Sequence, residues 1–397
     1  MSDTLLAVPG RLVLARIHAG LAEGTIDLTL PDRSRRRLGG HAPGPEVAVI
    51  LRSWRALWRL FSGGSIGWYQ AWAAGEWDSP HPECLFELFS RNRHGLAAPS
   101  RAHGVSRLVK RAWHRARRND RAGAPRNIRD HYDLGNDFYA PWLDPGMTYS
   151  SALFDPARPD QTLAEAQAAK LSAMLDRTGC RPGDRLLEIG CGWGSFAEVA
   201  ARGGIGVHGI TLSSEQKAYA EDRMARQGLS GVEISLTDYR DVRGSYDAVA
   251  SIEMVEAVGA EYWADYLQVI ATALKPGGRA ALQYIAIDDA IFADYADNVD
   301  FIQRYIFPGG MLVSETRFRA LAEGLGLAWH DRIGFGHDYA ETLRRWRDAF
   351  DRSVAEDRLS PQFDRQFIAR WRYYLMYCEG GFRGGGVDVA QVTLTKV

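Results

Sequence analysis

Three closely spaced glycines lie where a predicted strand gives way to a predicted helix. In LLEIGCGWGSFAEVA, residues 186–200, the apolar run Leu186–Ile189 predicts a buried strand, and the apolar spacing from Phe196 predicts a helix. The glycines between them are Gly190, Gly192 and Gly194. Glycine permits positive φ and lets a ligand approach the backbone, while the helix N-terminus presents amide donors to it. The turn therefore predicts a nucleotide-like ligand.

Polar residues follow the next predicted strands. The segments GITLSSEQ (209–216), LTDYRDV (236–242) and YDAVASIEMVEAVG (246–259) each run from apolar into polar residues. Because the carboxyl ends of parallel strands meet along one crevice of an open sheet, these residues are expected to converge there. The turn lacks both the GxGxxG spacing of dinucleotide enzymes and the Lys-Ser/Thr of a phosphate-binding loop. The crevice therefore suits adenosine and a ribose better than phosphate.

Helical and strand patterns alternate from Asn127 onward, which predicts an α/β fold with a parallel sheet and crossover helices. The strand candidates are Leu186–Ile189, Val207–Ile210, Val232–Leu236, Tyr246–Ile252, Ala280–Ile287 and Val389–Thr395. Upstream, short strand-like runs mix with helices, and an arginine-rich stretch ending in RAGAPRN is typical of a domain junction. We therefore predict an N-terminal domain with a basic linker over residues 1–120 and a second domain over 127–397.

Length and composition restrict the class of protein. The chain has 397 residues and a net charge of −1, and no apolar run has the length needed to span a bilayer. Its four cysteines form no CxxC pair, so neither a disulfide framework nor a metal site is expected. The N-terminus lacks the features of a signal peptide, which predicts a cytoplasmic protein.

Two N-terminal features bear on partners. The stretch Arg101 to Arg121 and the cluster Arg33 to Arg37 are strongly basic. Such stretches attract the phosphates of nucleic acid or of an anionic lipid surface, or form a solvated linker. In LRSWRALWRLF (51–61), the apolar residues share one helical face and arginines lie on another. A helix of this kind lies in a membrane interface or packs against its own domain.

The order of EIGCGWGS, GITLSSEQ, DYRD, SIEMVEAVG and LKPGGRAALQ resembles the S-adenosylmethionine-dependent methyltransferases. A narrower resemblance, to the cyclopropane fatty acid synthase family, depends on HYDLGNDFY (131–139), LDPGMTYSSALF (143–154), YIFPGGMLVS (305–314), DYAETLRRW (338–346) and YYLMYCEGGFR (373–383). SGGSIGWYQAWAAGEWD (62–78) is similar to that family's lipid-associated domain. The resemblance implies a class I, Rossmann-like domain with a mostly parallel seven-stranded sheet, extra helices forming a lipid pocket, and a smaller N-terminal α+β domain.

The resemblance also implies which residues bind the methyl donor, S-adenosylmethionine. The matching positions fall into four groups: those at the methionine end of the donor, those in the glycine turn and its preceding strand, those at the ribose, and those near the adenine. In that order they are Tyr132, Tyr149 and Ser150; Glu188, Gly190 and Gly192; Thr211 and Gln216; and Asp238 and Tyr239. For the glycines the alternative is a tight turn without a ligand.

If the family substrate holds, the acceptor is the cis double bond of a phospholipid acyl chain. The double bond attacks the methyl group and leaves a carbocation, which a water-excluding apolar site protects and fixed negative charge stabilises. A base then removes a proton, and in the family a bound bicarbonate is the expected base. The residues that match this catalytic set are Glu256, Tyr339, Gln283, Ser151 and Cys378. A lone cysteine on an apolar helix face, such as Cys378, more often serves packing.

Two positions depart from the family pattern. Ser151 stands where the family usually has cysteine, and Gln283 where it usually has histidine. Both can hydrogen-bond an anion, but neither titrates near neutral pH. Glu253 adds a carboxylate three residues before Glu256. It either faces the cavity, where it can hold a proton or act as the base, or points to solvent or caps the next helix.

These departures bear on the product. Proton loss from the transferred methyl gives a cyclopropane, which we expect, whereas loss from a neighbouring chain carbon gives a methylated or methylene-bearing chain. Alternatives are a small-molecule methyltransferase and an RNA methyltransferase, although Trp113 is the only aromatic residue among Arg101 to Arg121 that could stack on a base. We predict a homodimer at the inner face of the membrane, with a phospholipid bilayer as its partner and no nucleic acid.

Overall fold

The computed structural model describes residues 3–100 and 134–397. Tyr132 and the basic stretch Arg101 to Arg121 lie outside the described residues. The chain forms two compact units. The first unit combines the N-terminal residues with Ala290–Pro308 and Pro361–Val387, and the second unit contains the rest. Two distant segments therefore group with the N-terminal residues, and the functional division at residues 120 to 127 stays a prediction.

The N-terminal part of the first unit surrounds a small mixed sheet with helices. After a 3-10 helix at Asp3–Leu6, its elements are α1 (Ala7–Gly20), β1 (Thr25–Thr29), β2 (Arg35–Gly39), β3 (Glu46–Leu51), α2 (Arg55–Ala73), β4 (Trp77–Asp78), α3 (Pro82–Arg91) and α4 (Arg93–Ser100). Strand β1 pairs with antiparallel β2 and parallel β3, and β3 pairs with antiparallel β4. Alternate residues of β3 are buried, as a strand with one face on a core requires. This is the α+β arrangement expected of the N-terminal residues.

The amphipathic stretch around α2 packs mostly within its own unit. Trp54 and Leu57 are buried, whereas Trp58 is 44% exposed. On the polar side, Arg59 forms an ion pair with Glu76 at 3.0 Å. Most of the apolar face of this stretch therefore packs within its own domain instead of lying in a membrane interface. Trp58 is the exposed exception.

The remaining elements complete both units. They are α5 (Asn136–Tyr139), α6 (Leu163–Thr178), β5 (Arg185–Ile189), α7 (Ser195–Arg202), β6 (Gly206–Thr211), α8 (Ser214–Arg226), β7 (Val232–Leu236), β8 (Tyr246–Ile252), α9 (Trp263–Ala273), β9 (Leu274–Ile287), α10 (Asp289–Asp297), α11 (Phe301–Tyr305), α12 (Glu315–Gly324), β10 (Leu327–Gly334), α13 (Gly336–Ala355), α14 (Arg365–Arg383) and β11 (Val387–Lys396). Short 3-10 helices lie at Tyr239–Asp241, Val255–Ala257 and Ala260–Tyr262.

The second unit is built on a seven-stranded sheet with the order β10-β11-β9-β8-β5-β6-β7. The pairs β5–β6, β6–β7, β5–β8 and β8–β9 are parallel, and β10–β11 is antiparallel. Leu186, Leu187 and Ile189 of β5 are fully buried, as expected for a central strand covered on both faces. The predicted α/β fold with a mostly parallel seven-stranded sheet is confirmed.

The strand order fixes where a ligand can bind. From β5 the chain proceeds to β6 and β7 on one side, and then returns to place β8 and β9 on the other. A crevice opens at the carboxyl ends of the strands where the order reverses, which here is between β5 and β8.

In the first unit, α14 packs closely against α3. A Cβ added at Gly380 of α14 would lie 2.4 Å from Cβ of Phe86 in α3, so only glycine permits this approach. Phe86, Phe301 and Tyr373 form an aromatic cluster, with edge-on ring centroids 4.8 to 5.2 Å apart for the two pairs that include Tyr373. Within the described ranges, no helix has the length and apolar character needed to cross a membrane.

Candidate active site

The glycine turn between β5 and α7 lies at the switch point of the sheet. Gly190 and Gly192 have φ angles of 84° and 51°, which favour glycine. The amides of Gly190 and Cys191 both donate to the carbonyl of Ile210 in β6 at 3.0 Å. A Cβ added at Gly190 would lie 3.0 Å from Cγ of Met254, whereas one at Gly192 would meet no atom of the described residues within 4 Å. The backbone at Gly192 is therefore open to a ligand.

A cavity of about 150 Å³ opens at this turn. Nine of the ten predicted donor-binding residues line it: Tyr149, Ser150, Glu188, Gly190, Gly192, Thr211, Gln216, Asp238 and Tyr239. The tenth, Tyr132, lies outside the described residues. Ile252, the last residue of β8, and Glu253 and Met254, which come directly after it, line the same cavity. The structure therefore brings the end of β8 and the glycine turn into one pocket.

One wall of the pocket carries a buried carboxyl and a buried amine. Glu188 is 3% exposed, and within residues 3–100 and 134–397 its buried Oε2 atom has no hydrogen-bond partner. Burial raises the pKa of Glu188 well above its ordinary value, and the nearby Lys170 opposes the rise. Lys170 is fully buried and donates from Nζ to Oγ of Ser150 at 2.6 Å. Burial lowers the pKa of Lys170 to about 8, although Glu253 and other nearby carboxylates favour its charged form.

Lys170 was not predicted from the sequence. It lies on the buried face of α6, between Ala166 and Met174, which are both fully buried. A lysine on the apolar face of a predicted helix is rarely buried unless it has a partner. The interruption of that apolar stripe is the sequence signal that could have identified it.

Thr211 and Gln216 form a connected pair at the end of β6. Thr211 donates from Oγ1 to Oε1 of Gln216 at 2.8 Å. Ser213 caps α8 by accepting a hydrogen bond from the amide of Gln216 at 3.3 Å. Because both side chains are buried and line the pocket, they can present polar atoms to a ribose without rearrangement.

Asp238 and Tyr239 form the opposite side of the pocket. Asp238 is ion-paired with Arg240, with Nη2 and Oδ2 2.6 Å apart. The Tyr239 ring packs edge-on against Tyr266, with centroids 5.5 Å apart. Burial raises the pKa of Tyr239 to about 12, so its hydroxyl stays protonated at neutral pH. The ion pair and the ring contact fix this loop where the adenine end of a donor is expected.

Three of the predicted catalytic residues converge on the carboxylate of Glu253. The Ser151 amide and Gln283 Nε2 both donate to Oε1 at 2.8 Å, and the Tyr339 hydroxyl donates to Oε2 at 2.7 Å. The alternative in which Glu253 points to solvent is therefore wrong. Burial raises the pKa of Glu253, while the hydrogen bonds from Ser151, Tyr339 and Gln283 and the charge of Lys170 oppose the rise.

The two positions that depart from the family pattern differ in how they contact Glu253. Ser151 uses its backbone amide, because its hydroxyl donates to the carbonyl of Ala152 at 3.0 Å. Gln283 uses its side chain, and its Oε1 atom accepts a hydrogen bond from Gln391 at 3.0 Å. The contact with Gln391 orients the Gln283 amide so that its NH₂ group faces Glu253. The hydroxyl of Ser151 therefore makes no hydrogen bond to the Glu253 carboxylate among the described contacts.

Glu256 lies beside this cluster. Its Oε1 atom accepts a hydrogen bond from the amide of Ile285, and its buried Oε2 atom has no hydrogen-bond partner in the part of the chain that the structure describes. Burial, followed by the charge of Glu253, raises the pKa of Glu256 to about 8. At neutral pH Glu256 therefore keeps its proton.

Cys378 belongs to α14, in the first unit, whereas the other four predicted catalytic residues belong to the second. Upstream on the same helix, Phe367, Trp371 and Tyr374 form successive ring contacts, as the apolar spacing predicts. Burial, followed by the nearby Asp300, raises the pKa of the Cys378 thiol well above its ordinary value. Cys378 is therefore a neutral thiol, and its participation in the site stays a prediction.

The pocket has the features that an adenosyl sulfonium requires. The backbone is open at Gly192, polar groups for a ribose follow β6, and carboxyl groups lie beside the glycine turn. This fold and this pocket define a Rossmann-like methyltransferase that uses S-adenosylmethionine.

Comparison with known proteins narrows the class to a family. The family model for mycolic acid cyclopropane synthetase matches residues 119–392. Tuberculostearic acid methyltransferase UfaA1 of Mycobacterium tuberculosis is 38% identical over 354 residues, which cover 85% of this chain and 80% of that protein. Cyclopropane-fatty-acyl-phospholipid synthase of Escherichia coli is 33% identical over 344 residues and 85% of each chain. The chain belongs to this family of S-adenosylmethionine-dependent enzymes that act on lipids.

A solved structure supports the same assignment. Mycolic acid cyclopropane synthase CmaA1, complexed with SAH and CTAB, is 30% identical and aligns with a TM-score of 0.63. The alignment covers 68% of this chain and 98% of that one. The fold of this chain is therefore shared with a family member that binds the demethylated donor.

Proposed function

We propose that this protein transfers the methyl group of S-adenosylmethionine to a cis double bond in a phospholipid acyl chain, and that proton removal then closes a cyclopropane ring. The observation that carries this proposal is the position of Glu253. Its carboxyl group lines the same cavity as the glycine turn and accepts a hydrogen bond from Tyr339, so an acidic group lies beside the pocket proposed for the methyl donor. An anion at this position suits a reaction that passes through a carbocation.

The donor supplies an electrophilic methyl group, and the residues of the chain position it. Gly192 leaves its backbone open to the donor, and Thr211 with Gln216 presents polar atoms to the ribose. Tyr149 stacks on Trp346 with ring centroids 5.2 Å apart, which gives the pocket an aromatic wall. Such a wall excludes water and presents π faces to a cationic centre.

A second product is also proposed, because one observation favours it. The protein is 38% identical to a tuberculostearic acid methyltransferase over 85% of its length. Loss of the proton from a chain carbon next to the cation would give a methylene-bearing or otherwise methylated chain instead of a ring. Both products require the same methyl transfer, and they differ only in the proton that is removed.

The test is mass spectrometry of lipids from a host with unsaturated phospholipids, grown with a labelled methyl donor, with and without the protein. Ring closure predicts a gain of one CH₂ that resists hydrogenation, with three-membered-ring proton signals in the NMR spectrum. The same gain in a branched or still unsaturated chain identifies the second product. Unchanged lipids, in a host where the protein binds S-adenosylmethionine, would contradict lipid methylation.

We further propose that the first unit docks on the surface of a phospholipid bilayer. Leu5, Val8 and Leu12, on and just before α1, are 66%, 71% and 64% exposed. The next turn of the helix carries Arg16, whose guanidinium lies 5.9 Å from the ring centroid of Phe61. An exposed apolar stripe beside a cationic side chain fits a membrane interface with anionic headgroups. A homodimer, as the family resemblance implies, would present two such stripes to one bilayer.

Vesicle flotation tests this docking. The double change Val8→Asp with Leu12→Asp should abolish binding to anionic vesicles, because two carboxylates replace the apolar stripe. The matched control is Ile333→Asp, which places a carboxylate at a 57% exposed apolar position in the second unit. Equal flotation of all three proteins would remove the stripe from the proposal.

A further inference from the structure

We propose that Glu253 is the base of the reaction, and that its carboxylate takes the position that the family resemblance assigns to bicarbonate. This inference depends on the proposed lipid methylation. It concerns which group removes the proton, and therefore which part of the chain controls the product.

The hydrogen bonds of Glu253 carry the argument. The resemblance implies that Ser151, Gln283 and Tyr339 belong to the site of a small oxyanion. In the structure all three donate to one carboxylate, with two donors on Oε1 and one on Oε2. A carboxylate and a bicarbonate present similar planar oxygen pairs to such donors. Because these donors are already used, bicarbonate does not fit the site while Glu253 holds this conformation.

The backbone at Glu253 is built for this placement. Glu253 has a φ of 49°, which is uncommon for a residue other than glycine. Its amide donates to the carbonyl of Gln283 at 2.8 Å, so the same neighbour holds the backbone and the side chain. A conformation of this kind is strained and persists where the surroundings hold it. The strained backbone conformation of Glu253 therefore occurs together with three hydrogen bonds that hold its carboxylate.

The residues around this position suit the carboxylate of a side chain better than a bound bicarbonate. A bound bicarbonate carries a hydroxyl group that needs an acceptor, which a histidine could provide; a glutamate carboxylate needs donors only. Gln283 provides a donor, and Gln391 fixes its orientation. Glu256 keeps its proton at neutral pH, so it adds no second negative charge beside Glu253. Lys170 lies close enough to favour the charged form of Glu253.

The step balances without a further reactant. The π electrons of the double bond form a carbon–carbon bond to the donor methyl as the carbon–sulfur bond breaks, and its electron pair leaves with the sulfur. The carboxylate of Glu253 then takes one proton from the transferred methyl, and that C–H pair forms the third ring bond. If Glu253 takes the proton from a neighbouring chain carbon, the pair forms a new double bond. The glutamic acid returns its proton to water after release.

The test compares the wild-type protein with Glu253→Gly in buffer depleted of carbon dioxide and in buffer with added bicarbonate. Glycine tolerates the positive φ and removes the carboxylate to which the three donors bond. We expect the wild type to produce labelled lipid at the same rate in both buffers. We expect Glu253→Gly to lose about 100-fold or more of its turnover without bicarbonate and to recover part of it when bicarbonate is added. Glu253→Gln, which fills the same space with an amide, should lose turnover without recovery.

A second readout does not depend on lipid turnover. Carbon-13 bicarbonate NMR should detect binding to Glu253→Gly and no binding to the wild type at the same concentration. Wild-type activity that requires bicarbonate, bicarbonate binding to the wild type, or full activity of Glu253→Gly in depleted buffer would each overturn the inference. Absence of labelled lipid from the wild type would instead contradict the proposed function, and the NMR result would still decide which oxyanion occupies the site.

Discussion

The raised pKa of Glu256 predicts how the stability of the protein depends on pH. In the folded protein the pKa of Glu256 is about 8, against an ordinary value of 4.5. Between these two values the folded state holds a proton that the unfolded chain has released, so the free energy of unfolding falls as pH rises. Each pKa unit corresponds to about 1.4 kcal/mol, which gives a total loss of about 5 kcal/mol above pH 8. This is an upper limit, because Glu253 titrates together with Glu256.

The change Glu256→Gln isolates this effect. An amide of similar shape fills the same space and does not titrate. The free energy of unfolding of the variant should therefore lack the decrease with rising pH that Glu256 causes. Urea denaturation, followed by tryptophan fluorescence at several pH values from about 5 to about 9, measures the free energy of unfolding of both proteins. We expect the variant to gain on the wild type by up to about 5 kcal/mol across this range. Parallel curves for the two proteins would refute the assignment of the proton to Glu256.

Three further outcomes are expected. Glu256→Gln should abolish lipid turnover while S-adenosylmethionine still binds in calorimetry; near-normal turnover would remove Glu256 from the mechanism. Tyr339→Phe removes a hydrogen bond to a carboxylate and should lower turnover about 10- to 100-fold. Tyr373→Phe should not, because the Tyr373 hydroxyl has no hydrogen-bond partner among the described residues. Gly192→Ala should weaken donor binding in calorimetry. The control is Gly228→Ala, which has a similar positive φ and equally open surroundings and should cost about 1 kcal/mol of stability while leaving donor binding unchanged. Equal donor binding by both variants would contradict the approach of the donor to Gly192.

The central part of the fold could be predicted from the sequence because its signals are local. The bounds Val232–Leu236 and Tyr246–Ile252 are confirmed for β7 and β8. β8 is a buried parallel strand and a largely apolar run, whereas β7, at the edge of the sheet, alternates apolar and polar residues. β10 was not predicted, because five of its eight residues are exposed and form no apolar run. β9 begins at Leu274, before the predicted Ala280, because pairing with β8 extends it through the polar segment KPGGR.

The residues that line the donor pocket were also predicted from local signals. Short segments such as EIGCGWGS and GITLSSEQ are enough to recognise a glycine turn at the end of a strand and polar residues at the ends of successive strands. The class of ligand follows from these segments, because strand order brings the carboxyl ends of parallel strands together. The sequence alone therefore predicted the fold class and, through the family resemblance, the methyl donor and nine of the residues that line the cavity.

Only the tertiary structure decided what the carboxyl groups do. The hydrogen bond between Ser151 and Glu253 joins residues 102 positions apart, and the one between Tyr339 and Glu253 spans 86. No local pattern distinguishes a glutamate aimed at these donors from one that points to solvent. The burial of Lys170 and the proton on Glu256 likewise depend on what other segments place around them. Side-chain direction, desolvation and charge pairing are properties of the assembled packing, and the chemistry of this site depends on all three.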